Sequence, residues 1–504
     1  MAKYKTTDVE AGQGLFLTVN LKGQLLPGTF ECMLDEIIGN QIDISNFDKK
    51  YKNDMTGASA IPPSVLLKLI IYGYSKGCMS SRGIWELNRN NIIAKALTGD
   101  MNIHWTTISC FICERSKELH DIFTKVIMYC NELGLIGGEI FAIDGLRLPS
   151  NASRELSGTK EQLNKRLKLY QKMAEKHLLR HRSKDEQGET GTGEKDHFEE
   201  RQKYLSRKIE KISNFLEKTE KKEGSGGQEI QSNVTDNESA LIRGPNGFLQ
   251  GYVGLAVSDQ KNQVITSAEA FGSATENEHL PLMLDKSIKN LKEAGVKTPE
   301  EGKMASILGD AHYFSEDNLR FCGEHGLEAV IPDGQEKRCV CPDGSRRYAA
   351  YDFIYHEEDN NYECPQGKRL YYKGAQKLIG KEGKRYNANV IDCRSCPDFS
   401  RCISSKKEQS KIKRGRLIFI TKSNEQGSCC RKMREKMATE EYKALYAHRI
   451  QIIEPVFANI GYCKGLNRFT LRGKEKVNNQ WLLFCLMHNL GKCLKGYNAE
   501  RRSA

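Results

Sequence analysis

The chain lacks any apolar run long enough to cross a bilayer. Its longest apolar stretch, Trp481–Leu490, contains His488 and Asn489 and falls well short of the roughly 20 residues that a spanning helix needs. The first residues lack the apolar core of a signal peptide, so we expect a cytoplasmic protein. No glycine-rich phosphate-binding loop is present either, and ATP is therefore not expected as a substrate.

Cysteine is abundant, with 17 residues in 504. In a short secreted protein this count would indicate disulfides, but this chain is long and shows no export signal. Reduced thiols, one cluster of them bound to a metal, are the better interpretation.

The charge balance is basic. Lys and Arg number 77 against 65 Asp and Glu, a difference of 12. An excess of positive charge favours a polyanionic partner, with nucleic acid first among them. The alternative is a soluble enzyme that is merely basic.

The N-terminal part reads as all-helical. A helix is expected from Pro62-Pro63, a second from Ser80-Ser81-Arg82 through Ile92, and a third from Thr106 through Ile127. Short helices with Ser or Thr at their starts and interspersed Arg are typical of a helix-turn-helix DNA reader. A plain helical bundle would produce the same pattern.

After the helical part, from about residue 139, the spacing of apolar residues becomes typical of β-strands. Glu139–Pro149 is an apolar strand that carries Asp144, and Met304–Asp310 is another that ends in Asp310. Between them, 248–257 and 264–271 are expected to pair as a hairpin. Residues 155–227 read as a charged helical hairpin inserted between strands, and 336–430 as a basic, Cys-containing and irregular insertion.

A late helix is expected to begin at Thr439 and to carry Glu454. Glu454 follows Ile450 by four residues and precedes Phe457 by three, which predicts that it lies on or beside the buried face. A lone carboxylate is costly there unless it is paired or binds a cation.

These three acids could together hold divalent cations. Gathered carboxylates repel one another, and two Mg²⁺ ions about 3.5–4 Å apart would remove that penalty and clamp a phosphodiester. The alternative is that each acid caps a turn or pairs with a base.

The cysteines suggest a second metal. Cys393 and Cys396 form a C-x-x-C knuckle, Cys402 follows it, and Cys364 lies upstream, so that four thiolates could close a structural Zn²⁺ site. Unligated reduced cysteines are the alternative. Several Lys and Arg follow directly, a pattern that suits contact with phosphate.

Four blocks resemble bacterial insertion-sequence transposases with a ribonuclease-H-like DDE domain. The first is 62–82 with 106–109. The second is Ala142-Ile-Asp-Gly145 with 151–153. The third is 233–239 with 247–252 and Gly309-Asp-Ala-His-Tyr-Phe-Ser315. The fourth is His448-Arg-Ile-Gln-Ile-Ile-Glu-Pro-Val-Phe457 with 467–474 and 488–490. The blocks follow the order of that family and span nearly the whole chain.

The resemblance implies an α/β protein whose mixed sheet is flanked by helices. Residues 1–137 would be an N-terminal helical DNA-binding domain, and 138–504 the catalytic domain with insertions at 155–227 and 336–430. Asp144, Asp310 and Glu454 would be the catalytic triad and would bind two Mg²⁺ ions, for which Mn²⁺ could substitute.

The same resemblance implies that Arg449 contacts DNA. One branch of the family places Tyr, Arg, Glu and Lys at fixed spacing. Tyr446 and Arg449 fit it, but Glu454 comes one residue late and Gly461 stands where the Lys would be, with Lys464 or Arg468 as substitutes. The complete set of DNA-contact candidates is Tyr446, Arg449, Lys464, Arg468, Arg472, Lys474, Lys411, Lys413 and Arg414.

The function implied is a transposase that cuts the terminal inverted repeats of its element and joins them to double-stranded target DNA. It would work as a homo-oligomer on DNA and would need no membrane. The alternatives are a non-catalytic DNA-binding relative and a structure-specific nuclease of the same fold.

Overall fold

The computed structural model describes residues 20–51, 59–186, 192–224, 227–244, 247–296, 304–334, 341, 345–378, 381–403, 408–421, 425 and 427–503. The chain divides into two compact units. The first is Met1–Phe111 with Tyr497–Ala504, and the second is Ile112–Gly496.

The first unit is helical. Its helices are α1 (Phe30–Glu36), α2 (Pro63–Ser75), α3 (Ser81–Asn90), α4 (Ile92–Thr98) and most of α5 (Trp105–Glu114). The helix predicted to run through Ile92 ends at Asn90. The reason is Asn91, which has an extended backbone and caps α4 by accepting hydrogen bonds from the N–H groups of Ile93 and Ala94.

The third predicted helix is also two helices. After α5 the backbone leaves the helical region at Arg115, with φ −111° and ψ 35°, and α6 begins at Ser116 and runs to Glu132. The apolar spacing continues across the break, which is why the sequence pattern does not reveal it.

The second unit is built on a six-stranded mixed sheet. Its strands are β1 (Ile140–Pro149), β4 (Ala240–Gly244), β5 (Gly247–Asp259), β6 (Ile265–Phe271), β7 (Ala305–Leu308) and β8 (Leu327–Val330). β5 pairs antiparallel with β1, β4 and β6, whereas β7 pairs parallel with β1 and with β8. This order and these directions confirm the predicted ribonuclease-H-like fold. Two short strands, β2 (Ser157–Gly158) and β3 (Ser232–Asn233), pair antiparallel in a separate two-stranded sheet.

Helices cover both faces of this sheet. On one face, Ile143 and Leu255 belong to a core shared with α9 (Leu280–Glu293), α10 (Glu316–Glu324) and α13 (Cys429–Met437). Because side chains alternate along a strand, Gly254 faces the other way and meets the Trp481 ring of α15 (Lys474–Ser503).

The long helix α15 also protects the outer edge of β6. Asn489 accepts a hydrogen bond from the Ile265 N–H and donates one to the Ile265 carbonyl, both at 2.8 Å. Asn478 accepts from the Ala270 N–H at 2.9 Å. Backbone groups at an uncovered edge would otherwise be free to pair with another chain.

The inserted helical hairpin comprises α7 (Lys160–Glu186) and α8 (Thr192–Lys218). It has a small core of its own, which includes Leu163, Tyr170 and Ile212. Most of its remaining described side chains are exposed, as the charged sequence predicts.

The prediction of an irregular insertion at 336–430 was wrong. The region contains a five-stranded antiparallel sheet made of β9 (Ile354–His356), β10 (Asn361–Glu363), β11 (Arg369–Leu378), β12 (Lys381–Ala388) and β13 (Leu417–Ile420). Two short helices, α11 (Val390–Arg394) and α12 (Phe399–Cys402), lie between β12 and β13. Phe353, Tyr362 and Tyr386 are central to its core.

The helix predicted from Thr439 is α14 (Glu440–Ala458), and the predicted cap is confirmed because the Thr439 side chain accepts from the Tyr442 N–H. The chain continues directly from α14 into a π-helical turn, Asn459–Cys463. None of the helices that the structure describes is long and apolar enough to cross a membrane.

Candidate active site

Two of the three predicted catalytic acids lie on neighbouring parallel strands. β1 and β7 pair in register at Ala142 and Leu308. Asp144 and Asp310 each come two residues later, so the two carboxylates leave the same end of adjacent strands and point to the same side. The charge of Asp310 acts on Asp144 and helps to raise its pKa.

Asp144 is the more buried of the two acids, with 20% of its side chain exposed. Its Oδ1 accepts from the Gly145 N–H at 2.8 Å, and its Oδ2 accepts from an Arg449 guanidinium nitrogen at 3.1 Å. Burial raises the pKa of Asp144 to about 6, and Arg449 partly opposes that rise. The charges of Asp310 and Glu276 add to it.

Asp310 caps the short turn that follows β7. Its Oδ1 accepts from the His312 backbone N–H at 2.8 Å, and its Oδ2 lies 2.8 Å from His312 Nδ1. The His312 ring is 66% exposed. The turn therefore fixes the carboxylate while leaving its surroundings open to a ligand.

Helix α14 presents Tyr446 and Arg449 to these acids. The Arg449 side chain is only 11% exposed, and its buried Nε has no hydrogen-bond partner among the described residues. Burial raises the pKa of Tyr446, with smaller effects from Arg449, Asp310 and Asp144. A buried cation with an unused Nε–H donor beside two carboxylates is well placed to bind an anionic group.

Glu454 does not lie where the sequence predicts. The buried positions of this part of α14 are Ile452, Ile453 and Val456, whereas Glu454 is exposed and Ile450 is 57% exposed. Ile450 therefore lies on the exposed side of the helix, whereas Phe457 is half-buried, with its ring centroid 6.3 Å from that of Trp481. No described residue forms an ion pair or a hydrogen bond with the Glu454 carboxylate.

A third carboxylate near Asp144 is Glu276, which sequence reasoning missed. It is 6% exposed, and its Oε1 accepts from Arg147 Nε at 2.8 Å. Glycine at position 145 leaves room for it, since a Cβ there would stand 2.8 Å from Glu276 Oε2. Glu276 lies in a loop with no regular pattern, and no local sequence signal marks it.

His312 was missed as well. Its position two residues after Asp310, at the start of a turn, was the available signal.

The predicted DNA-contact residues after α14 are mostly tied to the protein. Arg468 donates to the Ser150 carbonyl at 3.3 Å and Arg472 to the Asn151 carbonyl at 2.6 Å. Lys474 lies over the Phe271 ring and 3.7 Å from a Glu269 oxygen. The charge of Lys464 reaches the buried His488, where burial is the main cause that lowers the pKa to about 4.

The basic residues of the Cys-containing region are on the surface. Lys411 pairs with Glu408 at 2.7 Å, and Lys413 and Arg414 are exposed. The four cysteines predicted to bind metal line a single small cavity, although they come from separate segments: Cys364, Cys393, Cys396 and Cys402.

The side chains around Asp144 can be compared with the ligands that a divalent metal ion needs. Among the described residues, no three His, Cys, Asp or Glu side chains stand as a group that could hold a metal ion. The structure thus brings Asp144 and Asp310 together and leaves Glu454 apart from them. Two carboxylates still suit Mg²⁺, which keeps several waters and takes its remaining oxygens from substrate phosphates.

Comparison with known families agrees with this architecture. A family model described as a transposase DDE domain matches residues 363–494, and one described as a transposase domain (DUF772) matches residues 19–114. The first match includes Glu454, while Asp144 and Asp310 lie outside it. No curated protein and no solved structure matches the chain. The two family matches, together with the ribonuclease-H-like sheet, support an insertion-sequence DDE transposase.

Proposed function

We propose that this protein cuts DNA at the ends of a mobile element and joins the freed ends to target DNA. The observation that carries the proposal is the pair of carboxylates, Asp144 and Asp310, at the same end of two adjacent parallel strands with the Arg449 guanidinium beside them. Carboxylate oxygens are suitable ligands for Mg²⁺, and a guanidinium group beside them can bind a phosphate of the DNA backbone.

The reaction consists of two phosphoryl transfers. Water first attacks the phosphodiester at the element end and releases a 3′-OH. That 3′-OH then attacks a phosphodiester of the target in line, forms the new bond and displaces a 3′-OH of the target strand. A bound pair of Mg²⁺ ions, which Mn²⁺ could replace, would activate the attacking oxygen and stabilise the leaving one.

Asp144 and Asp310 are the residues that would hold the ions. Because burial raises the pKa of Asp144 to about 6, this carboxylate is mostly ionised at neutral pH and still gains from a cation. Arg449 reduces the repulsion between the two acids when no ion is bound. With an ion present, its guanidinium is free to bind the scissile phosphate.

Glu454 remains the proposed third carboxylate, but a change in α14 would be needed to bring it to the acids. Successive residues of an α-helix are rotated by about 100° around its axis. Glu454 follows the inward-facing Ile453 by one residue, so its side chain is rotated away from the acids by about that angle. The π-helical turn Asn459–Cys463 carries one extra residue. Moving that turn to the N-terminal side of Glu454 would place Glu454 in line with Tyr446 and Arg449.

The other DNA contacts follow from charge and exposure. The N-terminal helical unit is proposed to bind the element ends, and Lys413 and Arg414 to contact phosphates. Two ends must be held for joining, which favours a homo-oligomer on DNA. Activity on resident DNA agrees with a cytoplasmic location.

The experiment is an assay on DNA that carries the element ends, with and without Mg²⁺. Asp144→Asn and Asp310→Asn should each bind this DNA as the unaltered protein does, yet lose Mg²⁺-dependent cleavage. Asp359→Asn, at an exposed turn, is the matched control and should cleave normally. Normal cleavage by Asp144→Asn would refute the proposal.

Two other outcomes separate the alternatives. Cleavage by the unaltered protein without joining would indicate a structure-specific nuclease. DNA binding without any cleavage by the unaltered protein would indicate a non-catalytic relative. Glu454→Gln should lose cleavage while Glu441→Gln, exposed in the first turn of the same helix, retains it.

A further inference from the structure

We propose that Cys364, Cys393, Cys396 and Cys402 bind one structural Zn²⁺ ion. The four residues come from three separate segments: the turn between β10 and β11, helix α11 with the turn after it, and the end of α12. Three separate segments thus bring their cysteines to the wall of one cavity. The inference is independent of the proposed DNA chemistry.

The four thiols line a cavity of about 30 Å³. The rest of its wall is largely apolar or aliphatic, with Leu370, Ala388, Phe399 and Ile403. A small cavity lined by four cysteines supplies the number and kind of ligands that a structural zinc site uses, in which protein ligands fill all four positions.

Two backbone N–H groups already point at the sulfurs. The Lys368 N–H donates to Cys364 Sγ and the Arg416 N–H to Cys393 Sγ, each at 3.3 Å. Such bonds orient a sulfur ligand and favour its anionic form. The Cys364-Pro-Gln-Gly-Lys368 turn closes through a 2.8 Å bond from the Gly367 N–H to the Cys364 carbonyl, with Gly367 at φ +74°.

Charge at the cavity also fits. Four thiolates around Zn²⁺ carry a net charge of about −2. Lys368 and Arg416 line the same cavity, and Arg416 further donates to the Cys402 carbonyl at 2.6 Å. Both cations would oppose the negative charge of the site, whereas the Asp392 carboxylate, which lines the same cavity, would add to it.

The ion would link the turn between β10 and β11 to the two short helices α11 and α12. Cys364 and Cys402 pack against the small core of the five-stranded sheet, and α11 and α12 have no fully buried residues of their own. In the part of the chain that the structure describes, no three of the four sulfurs stand close enough together to share a metal ion. Binding would close them around the metal, since metal binding and local folding are coupled.

The test is the metal content of the purified full chain, measured by mass spectrometry after growth with zinc. We expect about one Zn²⁺ per chain for the unaltered protein and for Cys463→Ser, whose thiol is exposed and distant in sequence. The double variant Cys393→Ser/Cys396→Ser should contain less than a tenth of that amount. Unaltered protein without zinc, or a double variant that keeps it, would overturn the proposal.

A second measurement uses the unaltered protein, so that it tests the proposal even if the double variant does not fold. Zinc released from the unaltered protein by a thiol-specific mercurial should appear together with the titration of four thiols in one step. Release of zinc before any of the four reacts would contradict ligation by these cysteines, and so would isolation of a disulfide between two of them in a zinc-loaded sample.

Discussion

Replacing Asp144 by Asn should stabilise the protein while abolishing its proposed activity. The folded state raises the pKa of this carboxyl from 3.8 to about 6 because the group is buried. At about 1.4 kcal/mol for each pH unit, that rise corresponds to about 3 kcal/mol. Asn has nearly the shape of the protonated acid and carries no charge, so it avoids this cost.

The direction of the pKa shift determines the pH range over which Asp144 affects the stability of the fold. A carboxyl whose pKa is raised by folding favours the folded state fully below pH 3.8, and that contribution is lost as the pH rises through about 6. Asp144→Asn should therefore gain about 3 kcal/mol over the unaltered protein at pH 7.5 and nothing near pH 3.5.

The assay is urea unfolding followed by circular dichroism in buffer with EDTA, at several pH values. Asp359→Asn should show no such pH-dependent gain. Adding Mg²⁺ should stabilise the unaltered protein and leave Asp144→Asn unchanged, since a ligand stabilises only the state that binds it. A variant that is less stable at pH 7.5, or equally affected at both pH values, would refute the electrostatic reasoning.

Four further substitutions test the packing and the burial of a titratable side chain. Gly251→Ala should cost about 3 kcal/mol in urea unfolding, because its Cβ would stand 2.1 Å from the Leu148 carbonyl oxygen, whereas Gly323→Ala, with open space in α10, should gain about 0.5–1 kcal/mol. Asn489→Ala should lose about 2–4 kcal/mol in the same measurement and speed amide exchange at Ile265, because it leaves two buried backbone groups of Ile265 unsatisfied. Burial lowers the pKa of His488 from 6.5 to about 4, so stability should fall by about 3 kcal/mol as the pH drops across that interval, and His488→Gln should flatten that fall.

Most strands of the main sheet, and the two acids that follow β1 and β7 or lie on them, could be predicted because their signals are local, whereas β4 was missed. Apolar runs ending at Asp144 and Asp310 mark β1 and β7, and Thr439 marks the start of α14. What could not be predicted is which side of α14 faces the sheet. The apolar spacing placed Ile450 on the buried side, but tertiary packing buries Ile453 and Val456 and leaves Ile450 57% exposed.

The sheet of the Cys-containing region was missed for a different reason. β11 is exposed along most of both faces, so its residues do not alternate between apolar and polar. The Arg449–Asp144 pair joins residues 305 positions apart, and no spacing rule connects them. Cysteine spacing, in contrast, is a local signal, and it selected four residues that the fold brings to one cavity.

The central claim is that Asp144 and Asp310 together bind the divalent ions used to cut DNA. Its most direct test is Mn²⁺ binding, followed by electron paramagnetic resonance in the presence of DNA carrying the element ends. The account predicts that Asp310→Asn weakens Mn²⁺ binding at least tenfold while Asp359→Asn binds as the unaltered protein does. Equal binding by all three proteins would contradict it.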